Sequence, residues 1–89
     1  MEPATIVRLT QIEGELRRIE EEKGRQEQRL GLFWEHPPAL DPEYVGKIMQ
    51  SIRDRIRGLE DRKRALLLER QELVVAAANP PPNPPGNEH

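Results

Sequence analysis

The 89-residue chain contains no cysteine, which excludes a disulfide scaffold, a thiolate-bound zinc site and a cysteine nucleophile. Its longest apolar run, residues 73–78, has six residues. A transmembrane helix needs roughly 20. The N-terminus has neither the basic start nor the apolar stretch of a signal peptide. We therefore expect a soluble, cytoplasmic protein that does not enter a membrane.

Side chains that commonly carry out catalysis are also scarce. The histidines are His36 and His89, and the one serine is Ser51. No nucleophile lies at a spacing that would pair it with a base, and no group of residues has the spacing of a metal site. The sequence therefore predicts a protein that is not an enzyme and that has no cofactor.

Charged residues are abundant but balanced, at 34% of the chain with a formal net charge of −2. Residues 53–64 hold six Lys or Arg against three Asp or Glu, which raises the question of nucleic-acid binding. On a helix these cations would be scattered around the circumference, and no aromatic residue lies among them. Mixed charges of this kind are typical of the flanks of a coiled coil, so a nucleic-acid partner is not favoured.

Prolines divide the chain into segments. Pro37 and Pro38 cannot continue a helix, whereas Asp41-Pro42 is typical of a helix start, with a capping side chain before a first-turn proline. We predict a helical hairpin over residues 1–78, with helices at 4–34 and 42–78 and a turn at 35–41. Residues 79–89, which include Asn-Pro-Pro-Pro-Asn-Pro-Pro-Gly, are predicted to form a proline-rich flexible tail.

Apolar residues recur in steps of three and four in both helices, which is the a/d heptad pattern of a coiled coil. We call this line of a and d positions the seam. In the first helix it comprises Leu9, Ile12, Leu16, Ile19, Lys23, Gln26, Leu30 and Phe33. In the second it comprises Val45, Met49, Ile52, Ile56, Leu59, Lys63, Leu66, Arg70, Leu73 and Ala77. With so short a connection, we predict an all-α, antiparallel two-helix coiled-coil hairpin.

Two alignments of the helices satisfy this pattern. One sets Leu16 against Leu66, and the other slides by one heptad to set Leu16 against Leu59. We favour the second, because it gives a more apolar middle and a tighter turn. In either alignment, polar residues enter the seam, and we expect their long stems to lie along it while the charged heads reach water.

More apolar side chains are present than one hairpin can bury. They lie off the seam at the end of the hairpin away from the turn, which we call the open end. A contiguous apolar patch of this kind marks an interaction surface, for which the candidates are Ile6, Val7, Leu67, Leu68, Val74 and Val75. We expect self-association, most simply as a dimer that forms a four-helix bundle. A larger protein partner would cover the same residues.

The three aromatic residues, Phe33, Trp34 and Tyr44, all lie beside the turn. Two interpretations are open. They form a cap that seals the closed end, which we favour, or they form a docking site for a partner.

The sequence therefore predicts a small coiled-coil interaction protein, such as an adaptor, an assembly factor or a subunit. In build it is similar to the short helical-hairpin co-chaperones of secretion systems, which implies an obligate larger partner as the alternative. The acidic residues at the turn, Glu35, Asp41 and Glu43, also give it a resemblance to the coiled-coil arms of transcription factors that enter RNA polymerase. This resemblance implies a polymerase-binding regulator as a third, less favoured function.

Overall fold

A computed structural model of the chain describes residues 2–36 and 38–78. Two helices, α1 (Pro3–Glu35) and α2 (Pro42–Ala78), make up almost all of this part of the chain and lie against each other in opposite directions. The predicted all-α helical hairpin is confirmed. The helix α1 extends one residue further at each end than predicted, and α2 has the predicted bounds. The predicted tail at 79–89 lies outside the described residues.

The start of α2 follows from its sequence. The side chain of Asp41 caps the helix, since its Oδ1 accepts a hydrogen bond from the backbone N–H of Glu43 at 2.9 Å. Pro42 occupies the first helical position, where its missing N–H costs nothing. Before it, the connection is tightened by a hydrogen bond of 2.8 Å from the N–H of Leu40 to the carbonyl oxygen of Pro38. The turn is therefore set by local chemistry.

The core of the hairpin is narrow. Among the described residues, the buried side chains are Ile12, Leu16, Ile19, Met49, Ile52 and Leu66. Ile12 and Leu66 are completely buried, and with Leu16 and Ile19 they form one cluster against which Leu59, Leu67 and Leu73 pack. Two helices that meet along a single line cannot surround more side chains than this. The hairpin consequently has little hydrophobic stabilisation of its own.

The alignment of the helices is defined by the core cluster and by ion pairs that cations of the seam form with the opposite helix: Lys23–Glu60, Glu20–Lys63 and Glu13–Arg70. These contacts set Leu16 against Leu66, in the layer next to Ile12. The alignment favoured in the sequence analysis, Leu16 against Leu59, is therefore wrong. Its physical fault is electrostatic, because a slide by one heptad would set Lys23 against Arg53 and Arg8 against Arg62, so that like charges would face each other.

Cross-linking distinguishes the two alignments. We expect the double variant Leu9→Cys with Leu73→Cys to form an intramolecular disulfide on mild oxidation, because these positions share a layer of the seam and the chain has no other cysteine. The matched variant Leu9→Cys with Leu66→Cys has the spacing of the rejected alignment and should stay reduced. Thiol titration and non-reducing mass spectrometry measure the outcome. Faster or more complete disulfide formation in the Leu9→Cys, Leu66→Cys variant would show that the rejected alignment is the correct one.

The charged residues of the seam form bonds across it. Lys23 Nζ lies 3.5 Å from Glu60 Oε2, and an Arg70 guanidinium nitrogen lies 2.6 Å from Glu13 Oε1. Lys63 pairs in the same way with Glu20. The stems therefore follow the seam as expected. The heads, however, bind carboxylates of the opposite helix at the surface, so the interruptions of the apolar pattern help to specify the alignment.

Candidate interaction surfaces

Among the described residues there is neither a metal-binding cluster of side chains nor a helix that could span a membrane. Across residues 2–36 and 38–78, no group of three or more His, Asp and Glu side chains could hold a metal ion. Neither described helix is long and apolar enough to cross a membrane. The geometry instead directs attention to two apolar surfaces, one at each end of the hairpin.

The first surface lies at the open end. We define the open-end surface as Ile6, Val7, Leu68, Val74 and Val75, each of which is between 47% and 58% exposed. Leu67, the sixth predicted interface residue, is half-buried against the core cluster and so belongs to the margin of the core. The structure therefore places five of the six predicted residues in contact with solvent, near the start of α1 and the end of α2.

Near the open end, the two sides of the seam differ in whether charged or apolar residues flank it. On one side, at the heptad g positions, three ion pairs close the groove between the helices, with an Arg8 Nε to Glu69 Oε2 distance of 2.6 Å at the open end. On the other side, at the e positions, Ile6 and Val74 take the place of charges near the open end. A second helical element can therefore bury apolar surface on the e side at the open end, whereas further along the e side it meets the ion pairs of Glu13, Glu20 and Glu60.

The second surface is an apolar pocket of about 390 Å³ at the closed end. We call it the tip pocket, and its lining residues are Leu32, Phe33, His36, Pro38, Leu40 and Ile48. Leu32 and Leu40 are exposed, and Phe33 and Ile48 are half-buried. Tyr44 lies one helical turn before Ile48 on the same face of α2, so an exposed phenol ring borders the pocket.

The aromatic residues do not form the cap that the sequence analysis favoured. Trp34 is 66% exposed and Tyr44 is 56% exposed, and only Phe33 turns toward the seam. The physical reason is the helical angle between neighbours. Phe33 takes a seam position, and the next residue, Trp34, is rotated by about 100° to the e side. The closed end thus keeps exposed aromatic surface, and a docking role for these residues stays a prediction.

Sequence reasoning missed most of the tip pocket. Leu32 and Ile48 lie outside the a/d pattern, so a search for the seam passes over them. The signal was nevertheless present, because Leu32, Leu40 and Ile48 are apolar residues that all fall off the seam beside the turn, and a contiguous apolar patch marks an interaction surface. The pairing of charges at g positions was also readable, once the correct alignment is chosen.

One carboxylate lies at the centre of a hydrogen-bond network. Glu22 accepts hydrogen bonds from Gln26 Nε2 at 3.0 Å, from the Arg25 guanidinium at 2.6 Å and from Arg55 Nε at 3.2 Å. These donors, Gln26 first and Arg25 next, lower the pKa of Glu22 from 4.5 to about 2. Arg8 lowers the pKa of Glu69, and Lys63 that of Glu20, in the same way.

Stability should consequently decrease in acid. The folded-state pKa of Glu22 lies below its unfolded value, so its contribution is present above the unfolded pKa of 4.5 and disappears as the pH falls through about 2. We expect the melting temperature to drop over this interval. The Glu22→Gln variant should melt lower than the wild type at neutral pH and lose less on acidification. Thermal melts followed by circular dichroism check this, and parallel pH profiles for the two proteins would contradict it.

Comparison with known proteins adds no further assignment. No family model matches the sequence, and neither a curated protein nor a solved structure is significantly similar to it. The functional argument therefore rests on the hairpin's own surfaces.

Proposed function

We propose that this chain is a small, non-enzymatic coiled-coil interaction protein of the cytoplasm, an adaptor, assembly factor or subunit that self-associates through its open-end surface. The observation that carries the proposal is the half-exposure of all five apolar side chains of that surface. The simplest product is a two-fold dimer in which two hairpins form a four-helix bundle.

The energetics favour association. Complete burial of a large aliphatic side chain contributes about 1.5–3 kcal/mol, so covering the exposed half of each contributes roughly 1 kcal/mol. A two-fold interface uses each of the five residues twice. Such a gain is comparable with the entire stability of a small domain, which is about 5–15 kcal/mol. Because the isolated hairpin buries few side chains, association should add substantially to its free energy of unfolding.

The difference between the residues at the g and e positions indicates on which side of the hairpin the second copy packs. The g side is already closed by the ion pairs of Arg8, Glu15 and Glu22 with α2. The e side carries Ile6 and Val74 at the open end and Trp34 at the closed end. Packing through the e side therefore buries apolar residues at both ends of the hairpin, and the ion pairs of Glu13, Glu20 and Glu60 lie between those ends.

Sedimentation equilibrium over a wide concentration range, with far-ultraviolet circular dichroism on the same samples, tests the proposal. We expect a strongly helical dimer whose melting temperature rises with protein concentration. A strongly helical monomer at all concentrations would contradict self-association. A poorly helical monomer would also contradict it, and would favour the alternative below.

The alternative is an obligate small partner or co-chaperone of a larger protein. The narrow core favours it, since a hairpin that buries so little apolar surface alone gains as much from a foreign helix as from a second copy. The two functions differ in the free protein. An obligate partner should gain helicity only when its larger protein is added, whereas the self-associating protein should be fully helical alone.

A nucleic-acid or RNA polymerase-binding function has less support from the geometry. Five of the six cations in the basic stretch pair with carboxylates: Arg55, Arg57, Arg62, Lys63 and Arg64. At the acidic turn, Asp41 caps α2 and Glu43 lies 3.9 Å from Lys47 Nζ. These charges already have structural partners, so neither cluster forms a single-sign surface for a charged partner.

A further inference from the structure

The tip pocket differs from the rest of the hairpin surface in having almost no charge. Of its lining residues, only His36 carries an ionisable group, and the others are aliphatic, aromatic or proline. Its volume of about 390 Å³ is that of a binding cleft. The ring of Phe33 supplies an aromatic wall, and the exposed ring of Tyr44 lies one helical turn from Ile48, outside the lining. Grooves with such walls are known to bind proline-rich segments, whose rings pack against aromatic faces.

A segment with matching chemistry follows α2 in this chain. Residues 79–87 read Asn-Pro-Pro-Pro-Asn-Pro-Pro-Gly-Asn and contain no ionisable side chain. They contain the spacing Pro81-x-x-Pro84 and Pro82-x-x-Pro85, the minimal pattern of proline-rich ligands. We propose that the tip pocket binds residues 80–85 of a second copy of this chain. The uncharged segment matches an uncharged pocket in a protein that is otherwise covered with charges.

Covalent geometry requires that the segment come from another copy. Ile48, in the pocket, and Ala78, at the end of α2, belong to one continuous helix. They are separated by 30 residues, or about 45 Å at 1.5 Å per residue. Pro85 lies seven residues beyond Ala78, a reach of at most about 25 Å for a fully extended chain. A chain therefore cannot fill its own pocket.

This inference rests on the proposed self-association and specifies its orientation. If the two hairpins lie side by side with their turns at opposite ends, the end of each α2 lies at the partner's closed end, and residues 79–85 pass around that end to the tip pocket, in which Ile48 lies on the g side. Both pockets are then filled at once, and the assembly closes as a two-fold dimer. The same orientation brings the open-end surface of one copy to the e side on which the other carries Trp34. Hairpins with their turns at the same end would leave both pockets out of reach.

Intermolecular spin labelling tests the inference on the full chain. Because the native sequence has no cysteine, Asn83→Cys accepts a single nitroxide label. The labelled chain is mixed with an unlabelled, nitrogen-15-enriched wild-type chain, so that any broadening of amide signals arises between copies. We expect the amides of Leu40, Tyr44 and Ile48 to lose most of their intensity in mixed dimers, while those of Val7 and Val74 keep theirs.

A matched control identifies the contribution of the prolines. In it, Pro81, Pro82, Pro84 and Pro85 are each replaced by Ser in the Asn83→Cys chain, and the broadening at the tip should disappear. Broadening that persists with the serine segment, or that falls on Val7 and Val74, would overturn the inference. Sedimentation of the same mixtures separates the two proposals. A dimer without tip broadening refutes the docking alone, and a monomer refutes self-association as well.

Discussion

Replacing Leu16 by Asp should abolish the hairpin. Leu16 is buried in the cluster with Ile12, Ile19 and Leu66, and no cation lies in its layer of the seam. The substitution removes the packing of a buried leucine, which costs about 2–5 kcal/mol, and adds the desolvation of an unpaired charge. With so few buried side chains, we expect the loss of most of the helical signal in far-ultraviolet circular dichroism at 25 °C.

The control for this variant is Gln11→Asp, which introduces the same side chain on an exposed position of α1. It should change the free energy of unfolding by roughly 0.5 kcal/mol or less, as is usual for surface substitutions. If Leu16→Asp instead retains wild-type helicity, the assignment of Leu16 to the seam is wrong.

The second large effect concerns assembly. Leu68→Glu combined with Val75→Glu should dissociate the oligomer and leave the helical content of the hairpin nearly unchanged. Both side chains are at least half exposed, so neither substitution buries a charge within one hairpin. In the assembled state, however, each would place a carboxylate in an apolar interface, at a cost of several kcal/mol. Sedimentation equilibrium and circular dichroism measure the two parts of this expectation.

The comparison protein is Gln28→Glu with Ser51→Glu, which adds the same two charges at exposed positions away from the open end. It should keep the oligomeric state of the wild type. An unchanged assembly mass for the Leu68→Glu, Val75→Glu protein would show that this surface is not the interface. A loss of helicity in that protein would show that the outward face of α2 supports the hairpin itself.

The seam was readable from the sequence because an antiparallel pair of helices buries residues at a fixed period. Ile12, Leu16 and Ile19 occupy predicted seam positions, as do the buried residues of α2. The apolar pattern could not predict the alignment of the two helices. Leu59 and Leu66 are seven residues apart, so both occupy the same heptad position and either could pack against Leu16. The ion pairs of Lys23, Lys63 and Arg70 with carboxylates of the opposite helix removed this equivalence.

The sequence also predicted one part of the candidate surfaces and not the other. Ile6, Val7 and Val75 could be predicted as exposed, because a residue outside the a/d pattern cannot reach the partner helix. The state of the aromatic residues could not. Whether Trp34 packs under a turn or projects from it depends on where the helix ends and on how the prolines direct the chain, and α1 continues through Glu35.

The sequence by itself determined the helices, their antiparallel pairing and the excess of apolar residues at the open end. These follow from local chemistry: the prolines, the cap at Asp41 and the period of the apolar side chains. Only the tertiary structure decided the alignment, the difference between the two sides of the seam and the tip pocket. Each of these depends on which residues of α1 and α2 face each other, and opposing charges such as Arg8 and Glu69 are far apart in the chain and meet only after it folds.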